Sequence, residues 1–138
     1  MTTARFELAD LGTELPAPGI YDATVVDARL RQSARGHRMV TVTFGLDGVP
    51  PGRERVADYF VLEGTSARGV AVARWRLVAL YRACGLEPVG GEEIRPAVLV
   101  GARLTVTLEY QHRDGRTWVR VVAYYAPGAA PLLDEVPF

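Results

Sequence analysis

The stretch from Ile20 to Gln32 constrains this chain more than any other. Tyr21, Ala23 and Val25 alternate with Asp22 and Thr24, the two-residue period of a strand with one buried face. After Val25 the phase flips, and Val26, Ala28 and Leu30 alternate with Asp27, Arg29 and Arg31. A one-residue flip inside a continuous strand predicts a β-bulge, which bends the strand. A long, bent first strand suits a barrel, where it turns a corner and pairs with both neighbours.

The remaining pattern supplies those neighbours. Ser33 to His37 reads as a turn. A second strand over 38–46 puts Val40, Val42, Phe44 and Leu46 on one face, with Met39, Thr41 and Thr43 on the other. Asp47 to Gly52 is a break. A third strand over 53–62 points Val56, Phe60 and Leu62 inward, with Asp58 an odd acid on that face. Ser66 to Cys84 carries Val70, Ala73, Leu77, Leu80, Tyr81 and Cys84 at helical spacing, with Thr65 or Ser66 as cap and Gly85 as stop. Trp75 lies off that stripe and is expected to be a partly buried lid. Arg74, Arg76 and Arg82 are expected to form a solvated face. After a connector with a helical turn over 94–99, a fourth strand (102–111) and a fifth (117–125) flank Asp114-Gly115, a strong hairpin signal. The fifth alternates Val119, Val121 and Ala123 against Trp118, Arg120, Val122 and Tyr124; Tyr110 and Tyr124 are expected at the core or its edge.

The fold class is therefore mainly β with one helix, in the order β-β-β-α-β-β. That is the order of a five-stranded oligonucleotide-binding (OB) barrel, whose helix plugs one end. An open five-stranded sheet and a small sandwich are the alternatives. Residues 1–17 read as a leader, 18–126 as the domain and 127–138 as an acidic tail. With 138 residues, 49% of them hydrophobic, the chain supports a single core. No apolar run approaches the roughly 20 residues of a spanning helix. The N-terminus lacks the apolar stretch of a signal peptide. The lone Cys84 excludes an internal disulfide and fits a reducing cytoplasm, and no Cys or His spacing suggests zinc.

Every one of the sixteen basic residues is arginine. Residues 15–126 hold fifteen of them against eleven acids, while Glu7, Asp10, Glu14, Asp134 and Glu135 lie outside. The body is weakly basic and the ends are acidic. The first hairpin carries Arg29, Arg31, Arg35, His37 and Arg38, and the last carries His112, Arg113, Arg116, Trp118 and Arg120. The third strand adds Arg53, Arg55 and Tyr59 on its outer face. In OB barrels these loops flank the ligand groove. Cations for phosphates and flat side chains for unpaired bases are what a single nucleic-acid strand needs. These residues are the candidate nucleic-acid contacts. The competing reading is a set of solvated strand faces.

Asp134-Glu135-Val136-Pro137-Phe138 closes the chain with two acids and a terminal aromatic. A ring beside a free carboxylate suits an apolar hole with a cation at its rim on a partner protein. The stretch resembles the C-terminal tip of bacterial single-stranded DNA-binding proteins. A wider resemblance rests on Pro18-Gly19-Ile20-Tyr21-Asp22-Ala23-Thr24-Val25, on Gly36, and on Gly52-Arg53 with Val56-Ala57-Asp58-Tyr59-Phe60. Ala83-Cys84-Gly85-Leu86 and Tyr124-Tyr125-Ala126-Pro127 complete it. Over roughly residues 15–127 the chain is similar to a phage and prophage family that looks like single-stranded DNA-binding proteins of recombination and replication modules. The resemblance implies an OB fold that coats single-stranded DNA in replication, recombination or repair, with partner proteins recruited through the tip. Members often use Lys where this chain has Arg, so charge carries over and individual contacts do not.

No catalytic constellation stands out. Glu92-Glu93 are adjacent, Gly90-Gly91 lacks the Lys and Ser or Thr of a phosphate loop, and Cys84 falls on the helix stripe. Asp58 reads as a satisfied structural acid. The expectation is a non-enzymatic protein with no metal and no cofactor, binding single-stranded DNA, other proteins and no membrane. Monomers and homo-oligomers both fit such a barrel. A protein-interaction module on the same barrel and an RNA binder are the alternatives.

Overall fold

A computed structural model of the chain describes residues 15–50, 52–64, 66–87 and 95–129. The phase flip at Val25-Val26 is a bulge. β1 (Gly19–Gln32) pairs antiparallel with β2 (Arg38–Leu46), and the register slips between Val25 and Asp27. Val26 is the extra residue. Gly45, which pairs with Thr24, lies close by, and a Cβ there would come within 3.1 Å of Val26 Cγ1. A side chain at Gly45 would therefore crowd the bulge. On the other side of its bend β1 pairs with β4 (Arg103–Arg113), from Gly19 to Thr24. β3 (Arg55–Val61) extends the sheet beyond β2, and β5 (Arg116–Tyr125) extends it beyond β4. The strand order is β3-β2-β1-β4-β5, all antiparallel.

The two outer strands approach each other, but among the described residues no backbone ladder joins them. The fold is thus a curled, barrel-like sheet in the expected element order, left open between β3 and β5. Helix α1 (Ala67–Ala83) packs against both of these strands. Its Leu77, Leu80 and Tyr81 join Phe44, Phe60, Leu99, Leu104 and Leu108 in one core. Ser66 caps it, accepting the Gly69 N–H at 3.0 Å. Ser66→Ala is expected to cost about 1 kcal/mol in denaturant unfolding; no change would show the cap to be idle. Gly85, at φ 78°, ends the helix as its sequence position suggests.

The open seam is bridged by side chains from α1. The Arg74 guanidinium donates to the Leu62 carbonyl at 3.2 Å, just past β3, and Arg76 donates to the Val121 carbonyl of β5 at 3.3 Å. Edge carbonyls that no strand covers find donors this way. Arg76 also donates to Asp58 and to Tyr124 Oη, the Tyr124 hydroxyl donates to Asp58, and Asp58 accepts the Tyr59 N–H at 2.8 Å. The Arg76 guanidinium lies 4.9 Å from the Phe60 ring centroid and 5.8 Å from that of Tyr124. Asp58 is thus the satisfied acid that the pattern suggests.

Several expectations change. Arg76 is not on a solvated face; its side chain is 17% exposed. Trp75 is not a partly buried lid but is 76% exposed on the far side of α1. β3 begins at Arg55, leaving Arg53 in the preceding loop, and β4 runs on to Arg113. His112, Arg113 and Arg116 therefore stand on strands. Only Asp114 (φ 54°) and Gly115 (φ 75°) form the turn, both left-handed as a two-residue type I′ hairpin requires. β5 carries a second bulge: Thr107 faces Ala123 and Leu108 faces Val121, so Val122 is extra. That flip moves Tyr124 off the outer face, against Phe44 at 5.9 Å and Phe60 at 6.2 Å. At the start of the expected tail, Gly128 N–H donates to Thr105 Oγ1 of β4 at 3.0 Å, and Ala129 N–H donates to Ala126 O in a turn. The leader is described only from residue 15, where Pro16 is buried and Ala17 O accepts the Tyr21 hydroxyl at 2.6 Å.

Candidate nucleic-acid interface

Register decides which of the candidate residues share a surface. Arg29 sits across from Thr41, and Thr41 from Tyr59. The next row is Arg31, Met39 and Val61. Directly opposed residues point to the same side of a sheet, so these rows lie on the outer face of β1, β2 and β3. Tyr59 is 57% exposed there and Val61 38%. Leu30, on the inward phase, is nevertheless 46% exposed near the strand end.

The cations differ in availability. Arg29 pairs with Asp27 at 3.0 Å. Arg38 is held by Glu63, which accepts its N–H at 3.0 Å and its guanidinium Nε–H at 2.8 Å. That backbone hydrogen bond, and then the guanidinium, hold the Glu63 carboxyl below its ordinary range. Arg38 is thus anchored to its own domain. Arg31, Arg35, Arg55, Arg113, Arg116 and Arg120 are exposed and make no ion pair among the described residues. Arg53 is half-buried.

The β4–β5 hairpin splits its candidates between two faces. Gln111 opposes Trp118, Glu109 opposes Arg120, and Arg113 opposes Arg116, all on one side. Trp118 is 41% exposed. His112 takes the other side, its Nδ1 2.9 Å from Thr117 Oγ1 and its ring edge-on to Tyr110 at 6.4 Å. It is separated from the Trp118 face. The directly opposed Arg113 and Arg116 repel each other unless an anion lies between them.

One groove of about 690 Å³ joins parts of both hairpins. Arg35 and His37 come from the β1–β2 loop, Tyr59 and Val61 from β3, and Arg120 from β5 across the seam. The first turns of α1 form its other wall. Arg113, Arg116 and Trp118 continue the Arg120 face toward the hairpin turn. Arg29, Arg31, Arg38, Arg53, Arg55 and His112 lie outside the groove. Val61 was absent from the candidate set, although its two-residue spacing from Tyr59 places it on that face. The helical wall has no signal in the sequence, because it depends on how α1 crosses the seam. Asp134, Glu135, Val136, Pro137 and Phe138 lie outside the described residues.

Elsewhere the chemistry is quiet. Burial pushes the Cys84 thiol up to about 11, so it is not a thiolate near neutral pH. Among the described residues no three His, Cys, Asp or Glu side chains gather as a metal site, and no helix is long and apolar enough to cross a membrane. No protein-family model matches the chain, and no curated protein matches it.

Proposed function

We propose that this chain is a non-catalytic single-stranded DNA-binding protein of low sequence preference, acting in replication, recombination or repair. The observation that carries the reading is the groove shared by Arg35, His37, Tyr59 and Arg120. It sets an exposed aromatic ring among cations contributed by two hairpins distant in sequence. Phosphates are drawn to the guanidinium groups and bases stack on Tyr59 and Trp118, neither of which reads sequence. The opposed Arg113 and Arg116 support the reading, since a phosphate between them relieves their repulsion. The acidic tip from Asp134 to Phe138 would recruit partner proteins by its ring and carboxylates.

The test is fluorescence anisotropy of labelled oligo-dT across a salt series, with duplex DNA and a matched RNA as competitors. Binding in the micromolar range or tighter at low salt is expected, weakening steeply as salt rises. Absent binding, or equal affinity for duplex, overturns the reading; a clear preference for RNA replaces DNA with RNA. Removing residues 134–138 is expected to abolish capture of partner enzymes while DNA affinity holds or rises. Unchanged capture would remove the tip from the proposal.

A further inference from the structure

The groove has a wall that the single-strand reading does not use. Arg68, in the first turn of α1, lines it together with Val72, which is 48% exposed. Arg68 faces the same space as Arg35 and Arg120, and none of the three makes an ion pair among the described residues. The one exposed acid of the lining, Glu63, is already taken by Arg38 at 2.8 Å. Three free guanidinium groups therefore surround a floor of exposed apolar side chains, Tyr59, Val61 and Val72. Like charges held around an exposed apolar floor are unfavourable until an anion with a flat apolar part enters. A run of nucleotides has that composition. The volume of about 690 Å³ lies within the roughly 300–1,000 Å³ of ordinary ligand sites.

We infer that the bound strand does not stay on the sheet face but passes through the cleft between β3 and α1. Its phosphates meet Arg35, Arg68 and Arg120, and its bases lie on Tyr59, Val61 and Val72. This rests on the single-stranded DNA reading and adds the helix as the second jaw of the site. Arg68 becomes a phosphate-contacting residue, although the helix serves elsewhere only as a plug for the open seam. Arg82 lies on another surface of α1, beside Trp75 and Tyr125, and is not part of the cleft.

The test uses the full chain and fluorescein-labelled oligo-dT in a salt series, comparing Arg68→Ala with Arg82→Ala. Both remove one exposed positive charge, so any effect of net charge is shared. Arg68→Ala is expected to weaken binding several-fold and to reduce the slope of log affinity against log salt by about 0.7, the value for one lost phosphate contact. Arg82→Ala is expected to leave the slope unchanged. Equal effects of the two variants, with wild-type binding intact, would overturn the cleft and leave the single-strand reading standing. Failure of the wild type to bind any oligonucleotide would overturn that reading and this inference with it. Free thymidine monophosphate is expected not to displace the oligomer at matched nucleotide concentration. Equal displacement would make the cleft a mononucleotide site and overturn the strand path.

Discussion

Replacing Arg76 with alanine is expected to destabilise the fold by about 3–5 kcal/mol, the usual consequence of removing one member of a buried ion pair. The Arg76 and Asp58 side chains are only 17% and 8% exposed. Without the guanidinium, the Asp58 carboxylate stays buried with Tyr59 N–H and the Tyr124 hydroxyl as its remaining donors. The Val121 carbonyl on the open edge of β5 loses a donor as well. Burial, then the Asp58 carboxylate, push the Tyr124 phenol far above its ordinary value, so it stays a neutral hydrogen-bond donor to Asp58 and brings no positive charge. Tyr124→Phe removes one hydrogen bond and keeps the ring against Phe44 and Phe60, so a smaller loss of about 1–2 kcal/mol is expected. Urea unfolding of the two variants checks the order. Equal losses, or an Arg76→Ala loss under about 1 kcal/mol, would mean that the network does not hold the seam.

The second large effect concerns the proposed DNA site. Tyr59→Ala is expected to weaken oligo-dT binding about 5- to 150-fold, corresponding to roughly 1–3 kcal/mol for one lost base stack. The salt slope should not change, because the phenol carries no charge. Tyr59→Phe should bind nearly as well as wild type. Arg38→Ala should weaken binding indirectly, because it leaves Glu63, now held by that guanidinium at 2.8 Å, as an unpaired acid in the groove. Anisotropy titrations at several salt concentrations separate these outcomes. If Tyr59→Ala binds like wild type, the groove is not where bases stack.

Much of the local structure was legible before any tertiary contact was known. The Val25-Val26 flip marked the β1 bulge because alternating faces are a property of one strand, visible wherever apolar and polar residues take turns. Asp114-Gly115 marked a hairpin because both positions need left-handed backbone. Thr65 or Ser66 at one end and Gly85 at the other marked the helix limits for equally local reasons. The bulge in β5 was hidden for the same physical cause. Val121 and Val122 are both apolar, so the phase change leaves no trace, and Tyr124 read as alternating with residues it does not accompany. Of the candidate site, Arg35, His37, Tyr59 and Arg120 come together in one groove. His112 is turned away, and the two-residue period of β4 carries that signal, since it follows Tyr110 on the phase of Leu104, Val106 and Leu108.

The sequence by itself determined the mainly β class, the order of the elements, the bend in the first strand and the caps of the helix. Each depends on side chains a few residues apart along one backbone. Tertiary structure alone decided that the barrel stays open between β3 and β5 and that α1 lies over the opening. It also decided that Arg76 is the buried cation while Trp75 beside it is exposed. Periodicity places Arg74, Arg76 and Arg82 alike on a polar surface. Only the crossing of α1 over the seam brings Arg76 within reach of Asp58, eighteen residues away, and Tyr124, forty-eight residues away. Which charge is neutralised, and which is left to meet a ligand, follows from the register of elements distant in the chain.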